Sequence, residues 1–273
     1  MIVTCAPSRG AASRRSSPAG QADNAVVIIG MPEAWPVTEA EAVAEQDRLR
    51  GAVMTSGTLA GAGLVAGLDV AYAKGSDELA AAAVVLDVST LAAVESQAVT
   101  GVARFPYIPG LLAFREIPAL ADALGRLGAV PDVLVCDGYG IAHPRRFGLA
   151  SHLGVLTGRP SIGVAKTPFT GHYDEPGTDR GSSADLIDGG EVVGRVLRTQ
   201  RGVKPVFVSV GHAVGLDEAC DLVLRLSPRY RLPETTRAAD HLARAELAGH
   251  LSGRRVPSTG SPGRRAGPAP RRC

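Results

Sequence analysis

No stretch of eighteen apolar residues occurs anywhere in this sequence of 273 residues, which excludes a membrane-spanning helix. The opening MIVTCAPSRGAASRRSS has no continuous apolar segment of the kind a secretory signal needs. Cysteine is scarce. Cys5, Cys136, Cys220 and Cys273 stand far apart and form no C-x-x-C. That argues against a zinc site, a redox pair or a disulfide framework, and fits a reducing, cytoplasmic setting. Neither G-x-S-x-G nor G-x-x-x-x-G-K-[ST] is present, and DGYGIAH lacks the third glycine of a dinucleotide fingerprint. No internal repeat is visible.

Acidic residues are missing from both ends. Residues 1–22 carry three arginines and no acid, and residues 250–273 carry six arginines and no acid. Removing those nine charges from the formal net charge of +2 leaves −7 for residues 23–249. The body is therefore acidic, and nucleic-acid binding by it would need a local basic patch. Three regions are expected: a disordered basic extension over 1–30, one globular domain over 31–249, and a disordered Arg-rich tail over 250–273. The tails read either as solvated termini or as arms that strengthen non-specific nucleic-acid contact. Met31 is a second candidate for the start of translation, beside Met1.

What is present is patterned. Thr38 and Glu41 have capping-box spacing before a helical stretch. GLVAGLDVAYA, ELAAAAVVLDV and LAAVESQAVT, separated by turn signals, read as a three-strand antiparallel meander. LLAFREIPALADALGRLG reads as a helix bent or interrupted at Pro118. DVLVCDG and PSIGVAK are short buried strands with a helix, FGLASHLGVLTG, between them. YDEPGTDRGSSADLIDGG reads as a loop. Two further strands (EVVGRVLRT, KPVFVSVG) and two helices (LDEACDLVLRLS, TTRAADHLARAELAG) follow. The predicted fold class is α/β: a mixed sheet, antiparallel meander plus parallel strands, flanked by helices on both faces.

Asp69 interrupts an apolar strand, Asp137 ends another, and Glu116 lies on the helical connection between them. If the two strands are neighbours, their carboxylates lie side by side, which is costly unless a divalent cation sits between them. Oxygen-only ligands favour Mg²⁺ or Mn²⁺. Taken singly, Asp137 before Gly138 is equally a plain turn. His143, Arg145 and Arg146 follow Asp137 closely and suit phosphate, or are a solvated helix start. Lys166 and His212 each end an apolar run, and His212 is read as ending at the same edge as the acids. Strand ends are where sites form in mixed sheets. Tyr107, stiffened between Pro106 and Pro109, is either a wedge against bases or a loop tyrosine.

These residues resemble the endonuclease V family of deoxyinosine-directed repair nucleases. The matching segments are VAGLDVAY, PYIPGLLAFRE, DGYGIAHPRRFGLASHLG, PSIGVAK, GEVVGRVLRT, GVKPVFVSVGH and SPRYRLPETTRAADHLA, spanning about residues 35 to 245. The resemblance implies an RNase H-like fold and Mg²⁺-dependent phosphodiester hydrolysis, with Mn²⁺ able to substitute. It implies cleavage of the second phosphodiester bond 3′ to deoxyinosine. Asp69, Glu116 and Asp137 would be the metal ligands, Lys166 and His212 active-site residues, and Tyr107 the wedge. Gly110, Leu112, Gly138 and Gly140 would line a pocket for the flipped hypoxanthine, with His143, Arg145 and Arg146 on phosphates. Tyr139 departs from the family pattern, and its role is open. The expected partner is damaged, deoxyinosine-containing DNA, met by a monomer. An inosine-specific endoribonuclease and a non-catalytic nucleic-acid-binding module held by the basic arms are the alternatives.

Overall fold

The computed structural model describes residues 27–253. The expected disordered extensions fall mostly outside them. The fold runs past the expected 31–249 body at both ends. Val27 is buried, the Gly30 N–H donates to the Leu156 carbonyl, and the last helix continues to Gly253.

In chain order the elements are α1 (Glu39–Leu49), a 3₁₀ turn (Arg50–Ala52), β1 (Leu64–Tyr72), β2 (Glu78–Asp87), β3 (Ala93–Val102), α2 (Leu112–Gly125), β4 (Val133–Asp137), α3 (Leu149–Thr157), β5 (Ser161–Ala165), β6 (Ser183–Asp188), β7 (Glu191–Leu197), β8 (Val206–His212), α4 (Leu216–Leu226) and α5 (Glu234–Gly253). The strands form one sheet in the order β3-β2-β1-β4-β5-β8-β7-β6. The meander β1–β3 is antiparallel, β1, β4 and β5 run parallel, and β8 returns antiparallel to β5. This is the mixed sheet the sequence predicts.

Strand alternation sorts the core. Ala66, Leu68, Leu134 and Cys136 pack against α2 and α3, whereas Val65, Val133 and Val135 face the α4 and α5 side. Asp69 and Asp137 share the parity of that second set. Strand β2 carries Ala80–Ala83, poor strand formers, yet every residue from Leu79 to Leu86 is buried. Small side chains there let α2 and α5 cover both faces of a central strand. Gly67 in β1 serves the same end: a Cβ there would run into the Thr235 carbonyl, so α5 rests directly on the strand backbone.

Two expectations are corrected. Helix α2 is not interrupted at Pro118, which lies inside it. The proline cannot donate to the Phe114 carbonyl four residues back, but the Trp35 indole N–H donates to that oxygen at 2.8 Å. The orphan acceptor is satisfied and the helix continues. The predicted loop over 173–190 contains the edge strand β6, paired antiparallel with β7 through Asp188↔Glu191. The two residues between them are Gly189 and Gly190, both at positive φ (60° and 82°), the signature of a two-residue hairpin. The capping box on α1 is present: Thr38 Oγ1 accepts from the Glu41 N–H, and Glu41 Oε2 accepts from the Thr38 N–H.

Candidate active site and adjoining base cavity

Parallel pairing of β1 with β4, with Leu68 opposite Cys136, sets Asp69 and Asp137 beside each other at the ends of neighbouring strands. Glu116 reaches the same place from α2, buried, with its Oε1 accepting from the Tyr72 hydroxyl at 3.3 Å. Burial first, and then the charge of Asp137, push the Asp69 carboxyl up to about 7. Burial first, and then Asp69, push Glu116 up to about 8. Close carboxylates resist ionising together. Lys166, one residue past β5, touches Asp137 Oδ2. Burial works against its charge, but Asp137, Asp69 and Asp240 outweigh it and hold the ammonium above the usual lysine range.

Asp240 is a further acid of this site, one the sequence pattern did not single out. It lies on α5, and its field contributes to the shifts of both Asp69 and Lys166. A signal existed: Thr236, Ala239, Ala243 and Leu247 form the buried face of α5, and Asp240 sits four residues after Thr236 on its flank.

His212 is placed elsewhere, correcting the expectation that it ends at the acids' edge. Strand β8 is antiparallel to β5, so His212 pairs with Ser161 at the start of β5, while Asp137 pairs with Val164 near its end. The ring is buried, its Nδ1 accepts from the Met54 N–H at 3.3 Å, and burial lowers its pKa.

The donor set at the strand ends is all carboxylate oxygen, with too little positive charge to balance it. That chemistry fits a hard divalent cation. Among the described residues, however, no three His, Cys, Asp or Glu side chains stand close enough to hold one ion as placed. An ion held here as the side chains stand would rest on one or two carboxylates and on water.

Beside the acids lies a cavity of about 180 Å³, below the ~300–1,000 Å³ of drug-sized ligand sites and suited to a single heterocycle. Of the expected pocket residues, Gly110, Leu112 and Gly138 line it, and so do Tyr107, expected as the wedge, and His143, expected on a phosphate. Gly140 does not: a Cβ there would run into the Val210 carbonyl, so this glycine serves close packing on β8. Tyr107 is 70% exposed at the rim. Tyr139 stacks on Phe169 at 5.2 Å between centroids and donates its hydroxyl proton to the Thr167 carbonyl. It thereby braces the segment following Lys166. Phe169 forms a second aromatic wall that the sequence analysis did not single out.

The cavity floor is held by hydrogen bonds of Gln46, His143 and Arg145. Gln46 of α1 is fully buried; its Nε2 donates to the Gly110 and Phe147 carbonyls at 2.9 and 3.0 Å. His143 Nδ1 accepts from the Arg145 N–H, so its Nε2 carries the proton and donates to Gly110 O at 3.0 Å. Burial lowers this ring to about 4, so it stays neutral. Arg145 Nη1 donates to Gln46 Oε1 at 3.3 Å. Arg146 is bound to Asp188 at 2.6 Å and Glu191 at 3.2 Å. In this arrangement His143 and Arg146 are engaged by the protein itself.

The endonuclease V sequence pattern matches residues 47–241. The chain is 59% identical to endonuclease V of Streptomyces avermitilis over 224 residues, 81% of this chain and 98% of that protein. The crystal structure of that Streptomyces protein superposes with a TM-score of 0.77, covering 83% of this chain and all of that one. Endonuclease V of Ciona intestinalis, solved with a 24mer DNA containing an inosine followed by a ribo-adenosine, is 32% identical, with a TM-score of 0.70 over 77% of this chain and 98% of that one. These neighbours share the RNase H-like fold, and the chain is a member of the endonuclease V family.

Proposed function

We propose that this chain nicks DNA at the second phosphodiester bond 3′ to a deoxyinosine, as a monomeric, cytoplasmic repair endonuclease using Mg²⁺, with Mn²⁺ able to substitute. The observation that carries the reading is the juxtaposition of a mutually repelling carboxylate group with a cavity the size of one base. Asp69, Glu116 and Asp137, joined by Asp240, would hold the divalent ion. When bound, that ion supplies Lewis acidity at the phosphate and lowers the pKa of water. Lys166, released from Asp137, would place its ammonium against charge developing on the phosphate oxygens. Tyr107 would fill the gap left by an extruded base, and Tyr107 and Phe169 would wall the cavity that takes it. A hypoxanthine pairs weakly and is cheap to extrude, and the backbone of Gly110 and Gly138 would crowd guanine's extra amine.

A labelled duplex with one deoxyinosine, incubated with and without Mg²⁺, tests this: one nick, one nucleotide beyond the lesion's 3′ neighbour bond, seen only with metal. An intact duplex in Mg²⁺ and in Mn²⁺ would refute it. The ribo-adenosine after the inosine in the Ciona complex favours one further arm. Matched oligonucleotides with deoxyribose or ribose after the inosine, and all-RNA versions, decide whether RNA is the preferred substrate.

A further inference from the structure

A second cleft, of about 330 Å³, opens beside Lys166. Its cations are Lys166, Lys204 and Arg231, and its apolar lining includes Tyr173 and Phe207. Tyr173 stands edge-on to Phe207, with centroids 5.3 Å apart. Arg231 Nη2 donates to the carbonyls of Lys166 and Pro205 at 2.6 and 2.7 Å, while its buried Nε has no partner. Among the described residues neither Arg231 nor Lys204 meets a carboxylate. The one acid lining the cleft, Glu175, is taken by Arg198 at 2.7 Å. In a body whose residues 23–249 sum to −7, this is a local excess of positive charge over an aromatic lining. Cations that track a phosphate backbone, interleaved with a ring for a base, are what single-strand nucleic-acid grooves present.

The two cavities are joined by one short segment. Lys166, Thr167 and Pro168 line the cleft, and Phe169 lines the base cavity. Asp137 touches Lys166 of the cleft and is followed in the chain by Gly138 of the base cavity. A strand whose base enters the cavity and whose phosphate crosses the carboxylates has the cleft next in its path. We infer that this cleft seats the nucleotides on the 3′ side of the cut, with Lys204 on a backbone phosphate beyond the scissile bond and Tyr173 against a base. The direction rests on the reading that the cut falls 3′ to the inosine.

The test compares substrates whose 3′ arm ends just past the cut with substrates extended by several nucleotides, using the wild-type chain and Lys204→Glu. Lys204 is exposed and, among the described residues, unpaired, so folding should be preserved. The wild type is expected to cut the long-arm substrate roughly fivefold or more faster at low substrate concentration. In Lys204→Glu that ratio should fall toward one, and the slope of log KM against log salt should shrink by about 0.7, the value for one single-strand phosphate contact. Shortening the 5′ arm instead should leave the ratio between the two proteins alone. An equal long-to-short ratio in both proteins, or a loss that follows the 5′ arm, overturns the assignment. Fluorescence anisotropy with an undamaged single-stranded oligonucleotide separates this inference from the function it rests on. If neither substrate is nicked but Lys204→Glu still weakens binding several-fold, the nuclease reading fails and the cleft stands. Unchanged binding removes the cleft whatever the nicking shows.

Discussion

Around the base cavity, buried polar groups are matched. Gln46 donates to two carbonyls and accepts from Arg145, and neutral His143 donates to Gly110 and accepts from Arg145. A few residues away the strand ends are unmatched: Asp69 and Glu116 repel each other, and Lys166 is the cation in contact. Gly138 lines the first region and Asp137 belongs to the second. The cavity is pre-formed in the folded chain, whereas the strand ends are left short of positive charge. A pre-satisfied cavity holds its shape without a ligand, while crowded carboxylates are at ease only with a cation among them.

The contrast is broken most severely at the strand ends. Asp137→Ala should slow nicking of an inosine duplex by more than about a hundredfold, since it strikes the groups proposed to hold the ion, yet keep lesion binding within a few-fold. Asp240→Asn should follow the same pattern. His212→Ala should stay within a few-fold of wild-type nicking and lose about 1 kcal/mol of stability through the freed Met54 N–H. Single-turnover assays and thermal melts of the three variants check this, and a His212 variant as dead as Asp137→Ala would reverse the assignment.

At the cavity, Tyr107→Ala should weaken binding to the lesion by about 1–3 kcal/mol, with a smaller loss on undamaged duplex and no change in melting temperature, as befits an exposed ring. Equal losses on both duplexes would remove the wedge. Gln46→Leu leaves the Phe147 carbonyl without its side-chain donor and the Gly110 carbonyl with His143 alone. It should cost about 1–3 kcal/mol of stability and raise KM for the inosine substrate more than it lowers kcat. The reverse split would mean the clamp serves the chemistry instead.

The smallest effect sharpens the electrostatic half. Folded-state values raised to about 7 for Asp69 and about 8 for Glu116 lie above the ordinary carboxylate range of an unfolded chain. Each then contributes stability that is full below about pH 4 and is lost as pH rises toward 7 and 8. Metal-free protein should therefore melt a few degrees lower at pH 8 than the rest of its titration predicts, and Mg²⁺ should raise the melting temperature more at pH 8 than at pH 5. Equal Mg²⁺ shifts at the two pH values would mean the carboxylates are not the binding groups.

Much of this was legible in the sequence, for reasons that vary by residue. Asp69 and Asp137 stood out because a charge inside an apolar strand is expensive, and that cost is local. The meander, the capping box and the two-sided sheet followed from periodicity and turn residues. His212 was misplaced because a strand's direction in the sheet is not written in its own residues; only the pairing with β5 reveals it. Asp240 was hidden in a helix whose amphipathic pattern accounts for itself. Strand β6 was hidden by its half-exposed edge position and glycine-rich flanks, although its Gly-Gly turn was in view. Pro118 misled because its repair came from Trp35, far away in the chain. Gln46 and Phe169 carried no local signal: one reads as a helix polar residue, the other as a loop aromatic.

Gly67 acts through the carbon it lacks. It sits two residues before Asp69, and the helix lying on it holds Thr235 there and Asp240 little more than a turn later. The spacing between two acids from distant parts of the chain is thus gauged by a missing methyl group. An alanine at this position, ordinarily among the mildest of changes, would act as a shim under α5 and lift one acid away from the other without altering a single charge.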